Sequence, residues 1–190
     1  MKTKPYGFTI RVAGGTSIKL LQVCSGSVKN GKGVMELGTS KDDALKTILE
    51  GTDDKVVIYC QFSASISRCK AICDKLKLKS IVFDGSSEIG AEVPFKKGKA
   101  DVMICQYASG NAGLNLQISH TMVFFEPTRS VRVLKQAMAR TYRQGQKDTC
   151  RYYHFFTPGT IEKKAMDSVR HGKDVTDEML KQWAEEEFCE

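Results

Sequence analysis

No apolar run in these 190 residues approaches the roughly 20 that a membrane-crossing helix needs. Lys2 and Lys4 follow Met1, but no apolar core and small-residue cleavage site come after them, so no secretory signal is read. The seven cysteines are odd in number and include no C-x-x-C pair. Several fall inside apolar runs, as reduced packing residues of a cytosolic protein do. His120, His154 and His171 lack metal-ligand spacing, so each is read as a surface or core-edge residue and no metal site is expected. There is no G-x-S-x-G elbow, and Cys60 stands too far from Arg68 for the C-x5-R loop of cysteine phosphatases. These absences exclude a disulfide scaffold, a zinc module and the commoner hydrolase nucleophiles.

What is present is ordinary globular usage, 41% hydrophobic and 27% charged, which excludes a disordered tail or a fibrous repeat. The length suits one α/β domain and excludes a large multidomain machine. The net charge of +7 is unevenly spread. Between Arg129 and Arg151 seven basic residues face one acid, Asp148, whereas from Asp174 to Glu190 seven acids face Lys181 alone. A concentrated basic segment favours a polyanion, either nucleic acid or nucleotide phosphate, over a plain solvated face only if something more specific accompanies it.

Short β-branched and aromatic runs recur at 55–60, 81–83, 101–105, 121–125 and 151–156, several of them apolar without alternation, as strands buried on both faces are. Helical patterns lie between. Ser40 and Asp43 form a capping box ahead of Leu45, Ile48 and Leu49; Ile66, Cys69, Cys73 and Leu76 repeat at helical spacing; Thr160 and Thr176 can cap two more helices, the last carrying Met179 and Trp183. Alternating strands and helices predict an α/β fold with a mostly parallel sheet covered on both faces. The expected division is a glycine-rich lead-in over 1–39 with one short helix, an α/β lobe over 40–172 and an acidic helix over 173–190.

Residues 26–33, GSVKNGKG, fit the front of a phosphate-cradling loop, but Gly33 stands where a magnesium-holding hydroxyl belongs and the next glycine, Gly38, leaves no room for the helix. A turn is therefore favoured. The most informative stretch is 130–146. At about 100° per residue, Gln136, Arg140 and Arg143 fall within about 60° of one another, with Val131, Leu134, Met138 and Tyr142 opposite. One face is expected to be buried and the other to offer two guanidinium groups suited to phosphate, with Gly145 as the helix stop.

The pattern Gln136-Ala137-x-x-Arg140-x-x-Arg143-x-Gly145-Gln146 resembles the sixth helicase motif of the switch/sucrose-non-fermenting (Snf-type) ATPases of helicase superfamily two. It stands in the right order with others: KVVIYCQF at 55–62 resembles the fourth motif, FDGS at 83–86 the Asp-Gly-Ser turn, and SGNAGLNL at 109–116 the fifth motif. RYYHFF at 151–156 and GTIE at 159–162 resemble the family's strand and helix start beyond the sixth motif, and LLQVCS at 20–25 the segment leading into the lobe. The resemblance spans about residues 18–170.

It implies the C-terminal, second RecA-like lobe of such a motor, a three-layer α/β/α domain that reaches across to ATP and Mg²⁺ bound mainly by a first lobe. Carried over by position, Arg143 is the arginine finger, Arg140 its partner, and Gln136, Gly113 and Asn115 are nucleotide-binding. Gln61, Ser63, Ser109, Gly110 and Asn111, after strand ends, would grip a DNA backbone, double-stranded by expectation, without reading sequence. The two guanidinium groups are expected at the open edge formed by the strand C-termini. Departures from the family pattern include Gln106-Tyr107-Ala108 before the fifth motif, where Tyr107 could take over a backbone-contacting hydroxyl, and Arg129-Ser130-Val131 before the sixth. They imply a compact, divergent member and are compatible with a viral source.

No first lobe is legible, so the partner is expected on a longer chain or a separate subunit, and the isolated chain is expected to be inactive as an ATPase. Two readings compete with the motor lobe: a stand-alone basic nucleic-acid-binding module, and a small P-loop NTPase using Lys32 and Glu126. A cytoplasmic location is expected, the host cytoplasm for a viral source and the nucleus for a eukaryotic one, with no membrane partner.

Overall fold

The computed structural model describes residues 16–30, 33–38, 40–88, 90–109 and 114–188. Five strands form a parallel sheet: β3 (Val56–Cys60), β4 (Ser80–Phe83), β5 (Val102–Gln106), β6 (Thr121–Phe124) and β7 (Arg151–His154), in the order β4-β5-β3-β6-β7. The register aligns Val56 with Val102 on one side and Thr121 on the other, so all five strands end at one edge. The three central strands are buried, which is why they read as unbroken apolar runs.

Alternate side chains go to opposite faces. Val56, Ile58, Cys60, Val102, Ile104 and Val123 pack under α2 (Ser40–Glu50) and α3 (Ser63–Lys75) through Leu45, Leu49, Ile66, Cys69, Ile72 and Cys73. Val57, Tyr59, Met103, Cys105, Met122 and Phe124 pack under α4 (Val93–Lys96), α5 (Val131–Met138) and residues 114–116 through Phe95, Ala137, Leu114 and Leu116. This is the expected three-layer RecA-like arrangement, with cysteines 60, 69, 73 and 105 used as small buried hydrophobes.

A third apolar cluster joins the two ends of the chain. Leu21 of α1 (Thr16–Cys24) meets Ile161, Ala165 and Val169 of α6 (Ile161–Arg170) and Leu180 of α7 (Asp177–Phe188). Thr160 caps α6 by accepting from the Glu162 amide, and Thr176 accepts from the Met179 amide at the start of α7. The segment that imitates a phosphate loop forms the arms of an antiparallel hairpin, β1 (Ser27–Asn30) with β2 (Gly33–Glu36). Gly33 therefore opens a strand and not the helix that a phosphate cradle requires; Gly31 and Lys32 lie outside the described residues.

The arginine-bearing helix is shorter than the periodicity predicts. α5 ends at Met138, and the chain continues as turns in which the Arg140 amide donates to the Ala137 carbonyl at 3.1 Å. Gly145, at φ +99°, shapes a later turn closed by the Gln146 amide on the Arg143 carbonyl. Tyr142, expected on the buried side, is 73% exposed, and the buried positions are Ala137 and Thr141. Thr141 lies one helical turn past Ala137, and its hydroxyl is satisfied within reach of the Met138 carbonyl and the Tyr152 hydroxyl. A polar residue can thus hold the position that hydrophobicity alone assigns to tyrosine.

Candidate functional site

The stretch from Ala139 to Gln146 is locked to the tail of the preceding loop by backbone and amide hydrogen bonds. The Leu116 amide donates to the Arg140 carbonyl at 2.9 Å, taking the acceptor that would have continued the helix. The Gln117 side-chain amide donates to the Gln144 carbonyl at 2.6 Å, and that of Gln146 donates back to the Gln117 carbonyl at 3.0 Å. Asn115 is exposed beside them, with its carbonyl oxygen accepting from the Gln117 amide. These bonds hold residues 116–117 against 140–146, with Asn115 and Arg143 exposed, Arg140 partly buried and Gln136 half-buried in the last turns of α5. Gly113 lies outside the described residues.

Arg143 is exposed, whereas Arg140 is partly buried and close enough to Tyr59 for its charge to oppose the rise that burial imposes on that phenol. Arg140 stands near Tyr59, the penultimate residue of β3, and so near the C-terminal end of that strand. α5 leaves β6 at the same end of the sheet and runs back along it, because the next strand, β7, is parallel and must begin at the opposite end. Thr141 lies on this return path, where its hydroxyl meets that of Tyr152 in β7 on the α5 face of the sheet. Gln146, which stitches the two segments together with Gln117, closes the sixth-motif pattern already read in the sequence; Gln117 carries no periodic signal, and only its adjacency to the fifth-motif stretch could have drawn attention to it.

The strand C-termini form a second surface. Gln61 and Ser63 follow β3, and Ser109 follows β5, its amide donating to the Gln106 carbonyl. Ser109 sits beside the turn after β4, where a Cβ added to Gly85 would meet its Oγ at 3.7 Å. Asp84 organises that turn, accepting from the Ser86 amide and hydroxyl, which hold its carboxyl below the usual range. Gly110 and Asn111 lie outside the described residues. Tyr107 does not offer a hydroxyl to this edge. It is 4% exposed, stacks on Tyr59 at 5.4 Å and donates to the Glu126 carbonyl at 2.9 Å.

Beneath the strand-end loops lies a buried polar cluster. Glu126, 2% exposed, accepts from the Gln61 amide at 2.9 Å and from the Ser65 hydroxyl. Burial raises its carboxyl to about 7 against the pull of Lys41 and of the two hydrogen bonds. Lys41 pairs with Glu162 at 2.6 Å, and Glu162 also accepts from the Thr157 amide at 2.8 Å. Enclosed in this way, Glu126 cannot serve a solvent-exposed nucleotide, which removes the other residue that the P-loop reading needs.

Among the described residues no group of three or more His, Cys, Asp or Glu side chains could hold a metal ion, and no helix is long and apolar enough to cross a membrane. Arg140, Arg143, Asn115 and Gln136 include no acidic ligand, and guanidinium and neutral amide donors of this kind suit an anion better than a cation.

Comparison with known proteins agrees with this architecture. The helicase conserved C-terminal domain matches residues 40–145. DNA repair protein rhp54 of Schizosaccharomyces pombe is 27% identical over 138 residues, covering 70% of this chain and 16% of that protein. The DNA repair and recombination protein RAD54-like of Danio rerio is 30% identical over 128 residues, 64% of this chain and 17% of that protein. An ATP-dependent helicase of Mycoplasma pneumoniae is 28% identical over 154 residues, covering 77% and 15%. The chain thus spans about a sixth of the length of these relatives. The crystal structure of the C-terminal part of the Fun30 ATPase domain superposes with a TM-score of 0.65 at 22% identity, over 73% of this chain and 47% of that one. With the family's motifs in order along a parallel five-stranded sheet, the chain belongs to the helicase conserved C-terminal domain family, as a second RecA-like lobe of the Snf type.

Proposed function

We propose that this lobe works as half of an ATP-dependent nucleic-acid translocase, facing a first RecA-like lobe that brings ATP and Mg²⁺. The lobe proper is assigned to 40–172, with 1–39 as lead-in and 173–190 as an acidic helix. The observation that carries the reading is that the segment bearing partly buried Arg140 and exposed Arg143 is fixed against residues 116–117 by hydrogen bonds, from the Leu116 amide to the Arg140 carbonyl and between Gln117 and both Gln144 and Gln146. Bound ATP would supply the phosphoryl group whose transfer drives the motor. Arg143 would donate through its planar fork to phosphate oxygens, its charge opposing the negative charge that grows there in the transition state. Arg140, backed by Tyr59, would hold the same anion from the lobe side. Gln136 and Asn115 donate and accept without adding charge, which suits orientation of the nucleotide and its ribose, with Gly113 carried over as their neighbour.

Nucleic acid is assigned to the strand-end surface, through Gln61, Ser63 and Ser109 together with Gly110 and Asn111. Short polar side chains and loop amides there suit phosphate oxygens and not base edges. The relatives named for DNA repair favour DNA, and duplex DNA is the substrate proposed. Replacing Arg143 by Ala in the intact motor should lower kcat by two orders of magnitude or more while DNA affinity stays within about twofold. Equal loss of both would instead favour the basic binding module.

A further inference from the structure

The acidic C-terminal end of the chain does not blanket the basic segment. Among the described residues it meets that segment at one place, the start of α5. There the Asp174 carboxylate accepts from the Val131 amide at 2.6 Å, across 43 positions of sequence. The Val175 amide donates to the Arg129 carbonyl at 2.8 Å, the Arg129 Nε donates to the Val175 carbonyl at 3.3 Å, and the Arg129 guanidinium pairs with Asp177 at 2.9 Å. Val175 itself is buried, in the cluster that also holds Leu180 and packs against Val131 and Leu134.

α5 needs this contact because its own sequence opens it badly. Ser130 occupies the N-cap with extended backbone, yet its side chain makes no cap hydrogen bond. The first turn carries no acid and includes Arg132, a positive charge at the positive end of the helix dipole. A carboxylate from elsewhere supplies both what the amide lacks and what the dipole favours. The eight-residue helix runs directly into the turn that carries Arg140, whose amide bonds the Ala137 carbonyl, so a shift at the helix start is passed along a short body to the arginines that follow it.

We propose that Asp174 is a positioning residue: by capping α5 in trans, the segment 174–177 sets where that helix, and with it Arg140 and Arg143, stands on the sheet. The proposal rests on the reading of those arginines as phosphate-binding. Its role is indirect, since Asp174 touches neither arginine tip.

The test uses Asp174→Ala and Asp174→Asn, the latter keeping an oxygen acceptor. In the 190-residue chain, amide hydrogen exchange at Val131, Arg132 and Val133 should quicken about fivefold or more in the alanine variant, with β3 and β5 amides unchanged and the asparagine variant near wild type. In the motor assembled with its first lobe, the alanine variant should lose several-fold in kcat with KM for ATP little altered, and asparagine should restore most of it. Unchanged exchange at 131–133, or an acceleration shared by β3 and β5, overturns the proposal. So does full turnover in Asp174→Ala where Arg143→Ala abolishes it. Should Arg143→Ala itself keep full turnover, the motor reading fails instead, and the exchange result still decides whether Asp174 holds α5.

Discussion

At the scale of single residues, the polar interior is more instructive than the apolar one. Glu126 entered the sequence reading only as the partner of Lys32 in a small P-loop NTPase, and pattern could not show that it would be sealed beneath the strand-end loops with Gln61, Ser65, Lys41 and Glu162 around it. Burial of a carboxylate disfavours its charged form, and here that outweighs the nearby lysine. Since the folded value of about 7 lies above the ordinary 4.5, the folded chain holds a proton that the unfolded chain releases across that window. The stability this group contributes is complete below about 4.5 and is lost as pH rises through 7, a change on the order of 3 kcal/mol. Glu126→Gln should flatten that part of the profile, as urea midpoints taken between pH 4.5 and 7.5 would show; an equally steep fall in the variant would assign the effect elsewhere.

At the scale of elements, strands and helices answered to pattern in different ways. The three central strands announced themselves because both their faces are covered, so they read as nearly unbroken apolar runs, whereas β7 alternates exposed and half-buried positions at the sheet edge. α5 was found in the right place but with the wrong end and partly the wrong face. Past Met138, where it ends, the Arg140 and Thr141 amides turn to carbonyls three residues back, and the Arg140 carbonyl is taken by the Leu116 amide, a contact across 24 positions that periodicity cannot see. Its buried face turns on small residues, Ala137 and Thr141, where hydrophobicity points to Tyr142. Ala137 is 3% exposed against the sheet, so Ala137→Leu must lift the helix or strain its neighbours. A loss of about 1–3 kcal/mol is expected in chemical denaturation, with ATP turnover of the intact motor falling more than stability alone explains. At 26–33 the missing hydroxyl at Gly33 already favoured a turn over a phosphate loop, but the pairing of β1 with β2 around it went unforeseen, because a pattern of glycines does not name the strands' partners.

At the scale of the molecule, the lobe presents an arginine-bearing segment after α5 and a polar loop surface at the strand C-termini, with no phosphate cradle among its described residues. Alone it should hydrolyse Mg-ATP at no more than background, and sustained phosphate release abolished by Arg143→Ala would contradict that. The sequence by itself determined the α/β class, the parallel sheet, the order of the motifs and the family, because these depend on local periodicity and on residue types at fixed spacing. Tertiary structure alone decided where the arginines stand, which residues back them, how Tyr107 is consumed in the core and how an acid from the C-terminal end completes a helix 43 positions earlier. Those outcomes depend on contacts between segments far apart in the chain, whose geometry no local pattern encodes.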